Sequence, residues 1–437
     1  MSMIPGSVEE PVLICGDCLD VLLRMPSESV DVVITDPPAG IGMMGKPWDS
    51  FASYEPRTVK GRDVSARLAG LLERWAVGFV AFLTDVWSEV DRVLKPGGIV
   101  CAWALPKTAD LAGLALRAVG WEIKDSLLHL FSEGMSKTGC LGKSIDAMLG
   151  AEREVVGTRP QRANGPEGKA AAFNNANSEI EHITAPATDE AKRWTDWCTP
   201  SGLAPGHEQW LLARKPSRLT YAQQVLTHGT GALNRGACRV PRGEADRERI
   251  KTAVSQGSGI FASEHTYGDG ERVAYDLALG GSQPKNVVLT PGGPGCPGAE
   301  LDRQSGDTGG ASRYFTRLDP GYRYEAKNSD RRAGMRSDIC NKHPTPKSVE
   351  LMRWLAALLA AKAEHTGGPP AIVLDPFLGS GTTGVACVAE RVRFIGIERD
   401  ETSFTVARAR ILAAIGSPAA AREANALAPV GGQLGLL

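Results

Sequence analysis

The chain has 437 residues, which exceeds one typical domain and predicts about two or three structural units. Its residues are 42% hydrophobic and 23% charged, so a sizeable core can form. The formal net charge of −1 excludes a protein that is basic throughout, although it allows a local basic face. No apolar run approaches the roughly 20 residues of a membrane span, and residues 1–10 lack the apolar stretch of a secretion signal.

The nine cysteines are scattered singly along the chain, apart from Cys15 and Cys18. This pair has no second Cys or His pair at the spacing of a zinc site, so we expect no metal centre. Each of the two is interpreted as a small core residue beside a strand end. Free thiols are typical of a reducing compartment, which together with the missing signal predicts a cytoplasmic protein.

The first 150 residues alternate between short β-branched segments and segments of helical periodicity. Strands are predicted at 12–15, 30–34, 99–104 and 122–130, and helices at 19–25, 68–94 and 111–119. The alternation resumes near the C-terminus, with a helix at 346–362, a strand at 372–374, a helix at 383–391, a strand at 393–397 and a final helix that ends at about 415. This pattern predicts a doubly wound, mostly parallel α/β sheet.

The middle of the chain breaks this alternation and divides the sequence into six units. Residues 1–150 and 341–415 are predicted to form the two halves of one α/β core. A mobile insertion is predicted at 151–204, where Gly, Pro, Asn and Ala are frequent. A core return strand at 205–216, an irregular region at 217–340 and a disordered tail at 416–437 complete the prediction.

A glycine-rich loop follows the strand predicted at 372–374 and reads Asp-Pro-Phe-Leu-Gly-Ser-Gly-Thr-Thr over 375–383. Its glycines let backbone approach a ligand closely, and the helix that follows offers free N–H groups. Glu398 ends the next strand, where a carboxylate can accept both hydroxyls of a ribose. The loop lacks the lysine of a phosphate-binding loop, and Asp375 suits a cationic ligand. The alternative is an ordinary tight turn.

A second candidate motif, Asp36-Pro37-Pro38, stands where the strand predicted at 30–34 must end, because proline cannot donate to a sheet ladder. The prolines hold the backbone rigid and extended. The Asp36 carboxylate and the Pro37 carbonyl could then accept hydrogen bonds from one exocyclic amino group and aim its lone pair at a methyl donor. The alternative is a surface turn that caps a strand.

The order and content of these motifs resemble the β group of DNA amino-methyltransferases, which act on N6 of adenine or N4 of cytosine. In that group the catalytic motif precedes the cofactor motif, and a target-recognition region, here 217–340, lies between them. Gly16-Asp17, the segment 207–215 and the segment 341–347 also resemble family segments. The segments 36–49 and 131–157 are most similar to phage and prophage members.

The resemblance implies that S-adenosylmethionine is the cofactor and that its methyl group passes directly to a base flipped out of double-stranded DNA. The base site would consist of Asp36, Pro37 and Pro38. Asp36 favours adenine N6, because members that act on cytosine N4 more often have Ser there; cytosine N4 is the alternative. The residues expected to line the cofactor site are Asp17, Thr345, Lys347, Asp375, Phe377, Gly379, Gly381 and Glu398.

One position departs from the family pattern. Ala39 stands where the family usually has an aromatic residue that stacks on the flipped base. Trp48 is the candidate replacement, with Phe51 next, although Trp48 could equally anchor a loop. The departure leaves a cofactor- or DNA-binding module without activity as an alternative. Protein glutamine methyltransferases are a further alternative, disfavoured because they typically have Asn in place of Asp36 and the cofactor motif first.

Residues 313–336 carry an excess of basic side chains interleaved with tyrosines, a composition that suits contacts with DNA phosphates and base edges. A solvated basic loop is the alternative. Without a nuclease signature, a solitary or phage-encoded methylase is expected; a separately encoded restriction nuclease and a homodimer are left open. The candidate DNA-binding residues are Arg313, Arg317, Arg323, Lys327, Arg331 and Arg332.

Overall fold

The described part of the computed structural model contains a nine-stranded sheet with the strand order β1-β11-β10-β2-β3-β7-β4-β8-β9. Its strands are β1 Val12–Cys15, β2 Val30–Thr35, β3 Leu94–Ala104, β4 Glu122–Leu130, β7 His207–Arg214, β8 Val287–Leu289, β9 Thr316–Arg317, β10 Ile372–Asp375 and β11 Arg393–Glu398. The structure describes residues 3–42, 45, 47–131, 139–160, 180–200, 203, 206–241, 282–290, 296–305, 310–318 and 346–416.

Helices cover both faces of this sheet. The helices of the described residues, including α5 and α6 of the insertion, are α1 Cys18–Leu22, α2 Val59–Leu68, α3 Arg74–Val93, α4 Ala109–Ala118, α5 Leu141–Met148, α6 Asp189–Arg193, α7 Tyr221–His228, α8 Pro297–Ser305, α9 Val349–Leu359, α10 Ala363–Thr366, α11 Thr382–Ala389 and α12 Glu401–Gly416. None of the helices in the described ranges is long and apolar enough to cross a membrane.

Two hydrophobic cores lie on opposite faces of the sheet. Alternate residues of β2 point to opposite sides, so Val33 packs with α1, α3 and α4 while Val32 and Ile34 pack with α9, α11 and α12. Every residue of β2 and of β10 is buried, as expected for parallel strands covered on both faces. The predicted doubly wound, mostly parallel α/β fold is therefore confirmed.

Strand β7 runs antiparallel between β3 and β4, whereas β1, β11, β10, β2 and β3 pair in parallel. Because of this reversal, β4 ends and β7 begins at the edge where β2 and β10 also end. The amide of Phe131 donates to the carbonyl of Gly206 at 3.0 Å, directly after β4 and directly before β7. The chain between these residues therefore leaves and re-enters the sheet at one edge.

The helix predicted at 68–94 corresponds to α3 and begins six residues later than predicted, while a separate helix, α2, precedes it. α2 ends at Leu68, and α3 begins only at Arg74. Gly70 has φ of 81° and turns the chain, with the Leu71 amide bonded to the carbonyl of Leu68 at 2.9 Å. Leu71 is exposed, although its spacing matched the apolar stripe. The sequence prediction was wrong here because glycine with positive φ ends the helical path.

The described part of the range 151–204, predicted as a mobile insertion, contains regular structure instead. Strands β5 Val155–Pro160 and β6 Ile180–Thr184 pair antiparallel, and α5 packs against α6. The buried carboxylate of Asp146 joins them: it pairs with Arg153 and accepts from the amides of Ala187 and Thr188 at 3.0 Å each. The segment 161–179 of this prediction lies outside the described residues.

The region predicted at 217–340 contributes two strands to the main sheet. β8 pairs in parallel with β4, and β9 pairs in parallel with β8. These strands have three and two residues, too few to produce a recognisable alternation in sequence. The sequence prediction of an irregular region therefore missed β8 and β9. The predicted tail lies outside the described residues from 417 onward.

Candidate functional site

A cavity of about 970 Å³ opens where β2, β10 and β11 end. Strand β10 lies between β2 and β11, and this order brings the motifs at 36–38 and 375–383 to one edge of the sheet. The predicted site residues that line the cavity are Asp17, Asp36, Pro37, Pro38, Trp48, Lys347, Asp375, Phe377, Gly379 and Glu398. The structure thus brings together the two motifs that the sequence separates.

The Asp375 carboxylate organises the glycine-rich loop. It accepts from the hydroxyls of Thr35 and Thr383 at 2.6 Å each and from the amide of Phe377 at 3.1 Å. Burial raises the pKa of Asp375 to about 6, and these hydrogen bonds oppose the rise. Both carboxylate oxygens accept bonds from the protein, so the group fixes the loop to the end of β2.

The raised pKa of Asp375 predicts a pH-dependent contribution to stability. The folded chain takes up this proton near pH 6 and the unfolded chain near pH 3.9, so the carboxyl favours folding as the pH falls from 7 to 4. We expect the unaltered chain to gain about 2 kcal/mol of unfolding free energy over this interval relative to Asp375→Asn. Urea denaturation at both pH values measures the difference. An equal difference at pH 7 and pH 4 would contradict the prediction, and Asp63→Asn, an exposed change, is the control.

Glu398 closes the same loop from the end of β11. Its carboxylate accepts from the amide of Gly379 at 2.8 Å and from the amide of Asp400 at 2.8 Å. Burial raises the pKa of Glu398, against the effect of these bonds. The side chain is partly buried and faces the cavity, where the sequence placed a ribose acceptor.

Gly381 does not line the cavity, unlike Gly379. Its φ is 83°, and a Cβ atom would lie 2.8 Å from the Cα atom of Ala407 in α12. Glycine is required there because α11 begins in close contact with α12. The predicted cofactor contact of Gly381 is thus replaced by a packing role.

Arg410 supports this loop from behind and was missed in the sequence. Its buried guanidinium donates through Nη1 to the carbonyl of Ser380 at 2.6 Å and to the hydroxyl of Thr382 at 3.1 Å. The available signal was a basic residue within the apolar face of α12, between Ala407 and Ile411. An arginine there requires buried acceptors, and the loop provides them.

Asp17 lines the opposite wall, at the start of α1. Its carboxylate caps this helix by accepting from the amide of Leu19 at 3.1 Å, and it pairs with Arg57 at 3.2 Å. Arg57 also pairs with Asp20 and lines the cavity. Hydrogen bonding to Asp20 raises the pKa of Arg57. This guanidinium is a second site residue that the sequence did not reveal.

A buried carboxylate in α3, Asp85, holds the segment 54–58 of the cavity wall in place. It accepts from the hydroxyl of Tyr54 at 2.7 Å and from the amides of Arg57 and Thr58. Gly61 leaves the space that Asp85 occupies, since a Cβ atom there would overlap the carboxylate. Burial, followed by the bond to Asp85, raises the pKa of Tyr54 well above its usual range. The wall is therefore tied to the rigid core.

Lys347 bonds to Asp36 across the floor of the cavity. Its Nζ lies 3.0 Å from Asp36 Oδ2, 3.8 Å from Glu208 Oε1 and 3.9 Å from the centre of the Trp103 ring. Burial alone would lower the pKa of Lys347, but the carboxylates of Asp36 and Glu208 outweigh it and raise the pKa. The lysine, predicted to hold the cofactor, thus contacts the Asp of the catalytic motif as a permanent cation.

Glu208 was recognised only as part of a similar segment, and the structure places it in the site. It is the second residue of β7, and its Oε2 lies 3.9 Å from Nδ1 of the buried His129, in addition to its contact with Lys347. His129 Nε2 is 2.6 Å from the hydroxyl of Thr290. A series of polar contacts therefore leads from Asp36 through Lys347, Glu208 and His129 to Thr290.

Ala39 is buried where the family usually has an aromatic ring. Its carbonyl accepts from the hydroxyl of Thr108 at 2.8 Å. Asp49, also buried, accepts from the amides of Gly40 and Ile41 at 2.6 and 3.1 Å. The turn is therefore held by polar contacts with the next loop, and a larger residue at 40 would meet the Phe79 ring.

The two candidate stacking rings differ in their surroundings. Trp48 is 41% exposed and lines the cavity. Phe51 is buried and packs against Phe79 and Phe82 with ring centroids 5.3 and 4.8 Å apart. Both rings therefore line the cavity, Phe51 as a buried core residue and Trp48 as the more exposed of the two.

Several predicted residues do not reach the cavity or lie outside the described part. Arg317 is exposed on β9, at the far edge of the sheet, and the Arg313 guanidinium lies 4.3 Å above the Tyr314 ring. Within the described ranges, no group of three or more His, Cys, Asp or Glu could hold a metal ion. The predicted residues outside the described part are Thr345, Arg323, Lys327, Arg331 and Arg332.

In open α/β sheets ligands bind at the carboxyl ends of the strands, and the two motifs meet at that edge here. Residues 30–409 match the N6_N4_Mtase family, described as DNA methylase, and the chain belongs to this family. The resemblance found in the sequence motifs is therefore confirmed.

Known relatives match the chain more weakly. A stretch of 72 residues is 39% identical to the type II methyltransferase M2.DpnII of Streptococcus pneumoniae and covers 16% of this chain and 24% of that protein. The chain thus spans about a quarter of the length of this curated relative.

Three solved structures are similar at low identity. The M1.HpyAVI–SAM complex is 15% identical over 92% of this chain and 98% of its own, with a TM-score of 0.37. The cytosine-N4-specific PvuII DNA methyltransferase is 13% identical over 95% and 91%, with a TM-score of 0.40. TTHA0409 of Thermus thermophilus is 15% identical over 92% and 94%, with a TM-score of 0.36.

Proposed function

We propose that the chain transfers a methyl group from S-adenosylmethionine to N6 of an adenine flipped out of double-stranded DNA. The observation that carries this proposal is one cavity of about 970 Å³ lined by both Asp36 and the loop at 375–383. That volume is at the upper end of the range of small-molecule pockets, roughly 300–1,000 Å³, and suits a nucleoside cofactor beside a base.

The residues around the loop fit S-adenosylmethionine. Glu398 would accept the ribose hydroxyls, and the backbone at Gly379, with φ of 54°, can approach the ligand closely. Phe377 gives an apolar surface and lies 6.1 Å from the Phe82 ring. The bound cofactor supplies an electrophilic methyl group on a sulfonium.

The protein's part in the reaction is to position and desolvate the acceptor amine. The Asp36 carboxylate and the Pro37 carbonyl accept hydrogen bonds from the exocyclic NH₂, which localises its lone pair. Lys347 holds Asp36 Oδ2 at 3.0 Å and keeps the carboxylate in one orientation. The geometry requires no covalent intermediate with the protein, since the loops fix donor and acceptor in one cavity.

Adenine is favoured over cytosine by the residue at position 36. Members of the family that act on cytosine N4 more often have Ser at this position, and this chain has a carboxylate there. Cytosine N4 is the alternative, and the solved PvuII enzyme acts on that base.

Duplex DNA incubated with the protein and S-adenosylmethionine carrying a labelled methyl group tests the function. After digestion to nucleosides, label in N6-methyladenine supports the proposal, and label in N4-methylcytosine overturns the choice of base. If the protein binds S-adenosylmethionine but transfers no label to any DNA tested, the chain is a binding module.

Trp48 is proposed to stack on the flipped base. We expect Trp48→Ala to lower the rate of methyl transfer by about 5- to 150-fold, because base stacking is worth about 1–3 kcal/mol and Ala39 offers no ring. Trp48→Phe should retain most of the activity, and S-adenosylmethionine binding by calorimetry should be unchanged in both variants. Full activity of Trp48→Ala would contradict stacking of Trp48 on the base and leave Trp48 as a residue that anchors a loop.

Two basic residues in the described part support a DNA face remote from the cavity. Arg317 is exposed on β9, and Arg313 lies nearby over Tyr314. We propose that this edge contacts phosphates. Neutralising both should reduce the slope of DNA affinity against salt by about two, because each phosphate contact contributes about one.

A further inference from the structure

Two cysteines face each other where the two ends of the insertion between β4 and β7 meet; this place is called the neck of the insertion below. Cys140 precedes α5, and Cys198 follows α6. Their backbones form an antiparallel bridge. The chain between them contains β5 and β6, so the bridge brings the two ends of this unit together.

The hydrogen bonds define the geometry of this bridge. The amide of Leu141 donates to the carbonyl of Trp197 at 2.9 Å, and the amide of Thr199 donates to the carbonyl of Gly139 at 2.8 Å. Both bonds flank the cysteines, so Cys140 and Cys198 form a non-hydrogen-bonded pair. In such pairs the Cα atoms are about 4.5 Å apart and the side chains lie on one face. This separation lies within the range that a disulfide spans, about 4.4–6.8 Å.

The two thiols are also accessible. Cys198 is exposed, and Cys140 is partly buried with its Sγ donating to the carbonyl of Thr195 at 3.4 Å. Cys15 is exposed as well, but its sequence neighbour Cys18 is buried, and burial raises the pKa of the Cys18 thiol to about 12. The other described cysteines are buried: Cys101, Cys238, Cys296 and Cys387.

We propose that Cys140 and Cys198 are a modification site. The two thiols form a reversible intramolecular disulfide when a low-molecular-weight disulfide such as oxidised glutathione oxidises them. The Cys198 thiolate attacks one sulfur of the disulfide, forms a mixed disulfide and releases one glutathione thiolate. The Cys140 thiolate then attacks the Cys198 sulfur, forms the Sγ–Sγ bond and releases the second glutathione. Two protein thiols are oxidised, one glutathione disulfide is reduced, and the two thiol protons go to solvent or to the departing thiolates.

The crosslink closes the neck of the insertion covalently. In a reducing thiol pool the pair stays open and the segments are held by hydrogen bonds; under oxidising conditions the same geometry is locked by a covalent bond. The site is independent of the methyl-transfer proposal, because neither cysteine lines the cavity.

The test is to incubate the folded full chain with oxidised glutathione, block the remaining thiols with N-ethylmaleimide under denaturing conditions and measure the mass. We expect two fewer maleimide adducts than in the reduced chain, no retained glutathione, and a tryptic peptide pair joined through Cys140 and Cys198. Dithiothreitol should restore both adducts.

Single serine variants establish the order of attack. Cys140→Ser should keep a stable glutathione adduct on Cys198, and Cys198→Ser should lose the joined peptides and react slowly. Cys15→Ser, an exposed change elsewhere, should form the crosslink as the unaltered chain does. Retention of glutathione on Cys198 in the unaltered chain, or joined peptides that involve other cysteines instead, would overturn the proposal.

Discussion

Replacing Asp36 by alanine is expected to lower kcat for methyl transfer by about 100- to 1,000-fold, the usual effect of removing one preorganised group that acts on the reacting atoms. The side chain lines the cavity and is bonded to Lys347, whereas the loop at 375–383 is held by Asp375 and Glu398. Binding of S-adenosylmethionine should therefore change little. Single-turnover kinetics and calorimetry separate the two quantities.

Asp63→Ala is the matched control for the Asp36 variant, because Asp63 is an exposed carboxylate on α2 away from the cavity. It should retain the activity of the unaltered chain. Asp36→Asn should retain the shape of the site but lose the negative charge that Lys347 pairs with, so its kcat should also fall. An Asp36→Ala variant within threefold of the original kcat would rule out the assigned role.

Lys347→Met should lower kcat by about 10- to 100-fold, the value of one charge-assisted hydrogen bond, and leave the affinity for S-adenosylmethionine within a few-fold. The reason is the 3.0 Å contact with Asp36: the lysine orients the carboxylate and is held in turn by Glu208 and the Trp103 ring. Lys347→Arg keeps the charge and should recover part of the lost rate.

The split between kcat and cofactor affinity distinguishes two roles for Lys347. The sequence resemblance places this lysine in the cofactor site, where its loss should weaken S-adenosylmethionine binding and spare kcat at saturation. Lys362→Met is the control, since Lys362 pairs with Glu390 at 3.2 Å in another part of the fold. A large rise in the cofactor dissociation constant with unchanged kcat would contradict the positioning role.

The meeting of Asp36 with the loop at 375–383 could be predicted from the sequence. Both follow β-branched strands, and the carboxyl ends of parallel strands meet at one edge of a sheet. Val12–Cys15 and Glu122–Leu130 were also predicted to the residue. These features depend on the local pattern of residues, so a single sequence is enough to predict them.

The contacts that hold the site could not be predicted in the same way. Asp85 in α3 looks like any polar residue in a helical pattern, yet it is buried and accepts bonds from the wall at 54–58. The pairing of Lys347 with Asp36 joins residues 311 positions apart in the chain and depends on how α9 is set against β2. Such partners are fixed by tertiary packing, and a single sequence carries no signal for them.

The position of β10 in the sheet has a consequence for how the protein is made. β10 pairs with β2 on one side and β11 on the other, and the Thr35–Asp375 bond joins residues 340 positions apart. At roughly 5–20 residues per second, a ribosome needs tens of seconds to pass from one to the other. Throughout this time the nascent chain exposes the apolar edge of β2 without its neighbour, a form that is prone to aggregate. Pairing of β10 with β2 can therefore begin only after residue 375 has been synthesised, late in the translation of the chain.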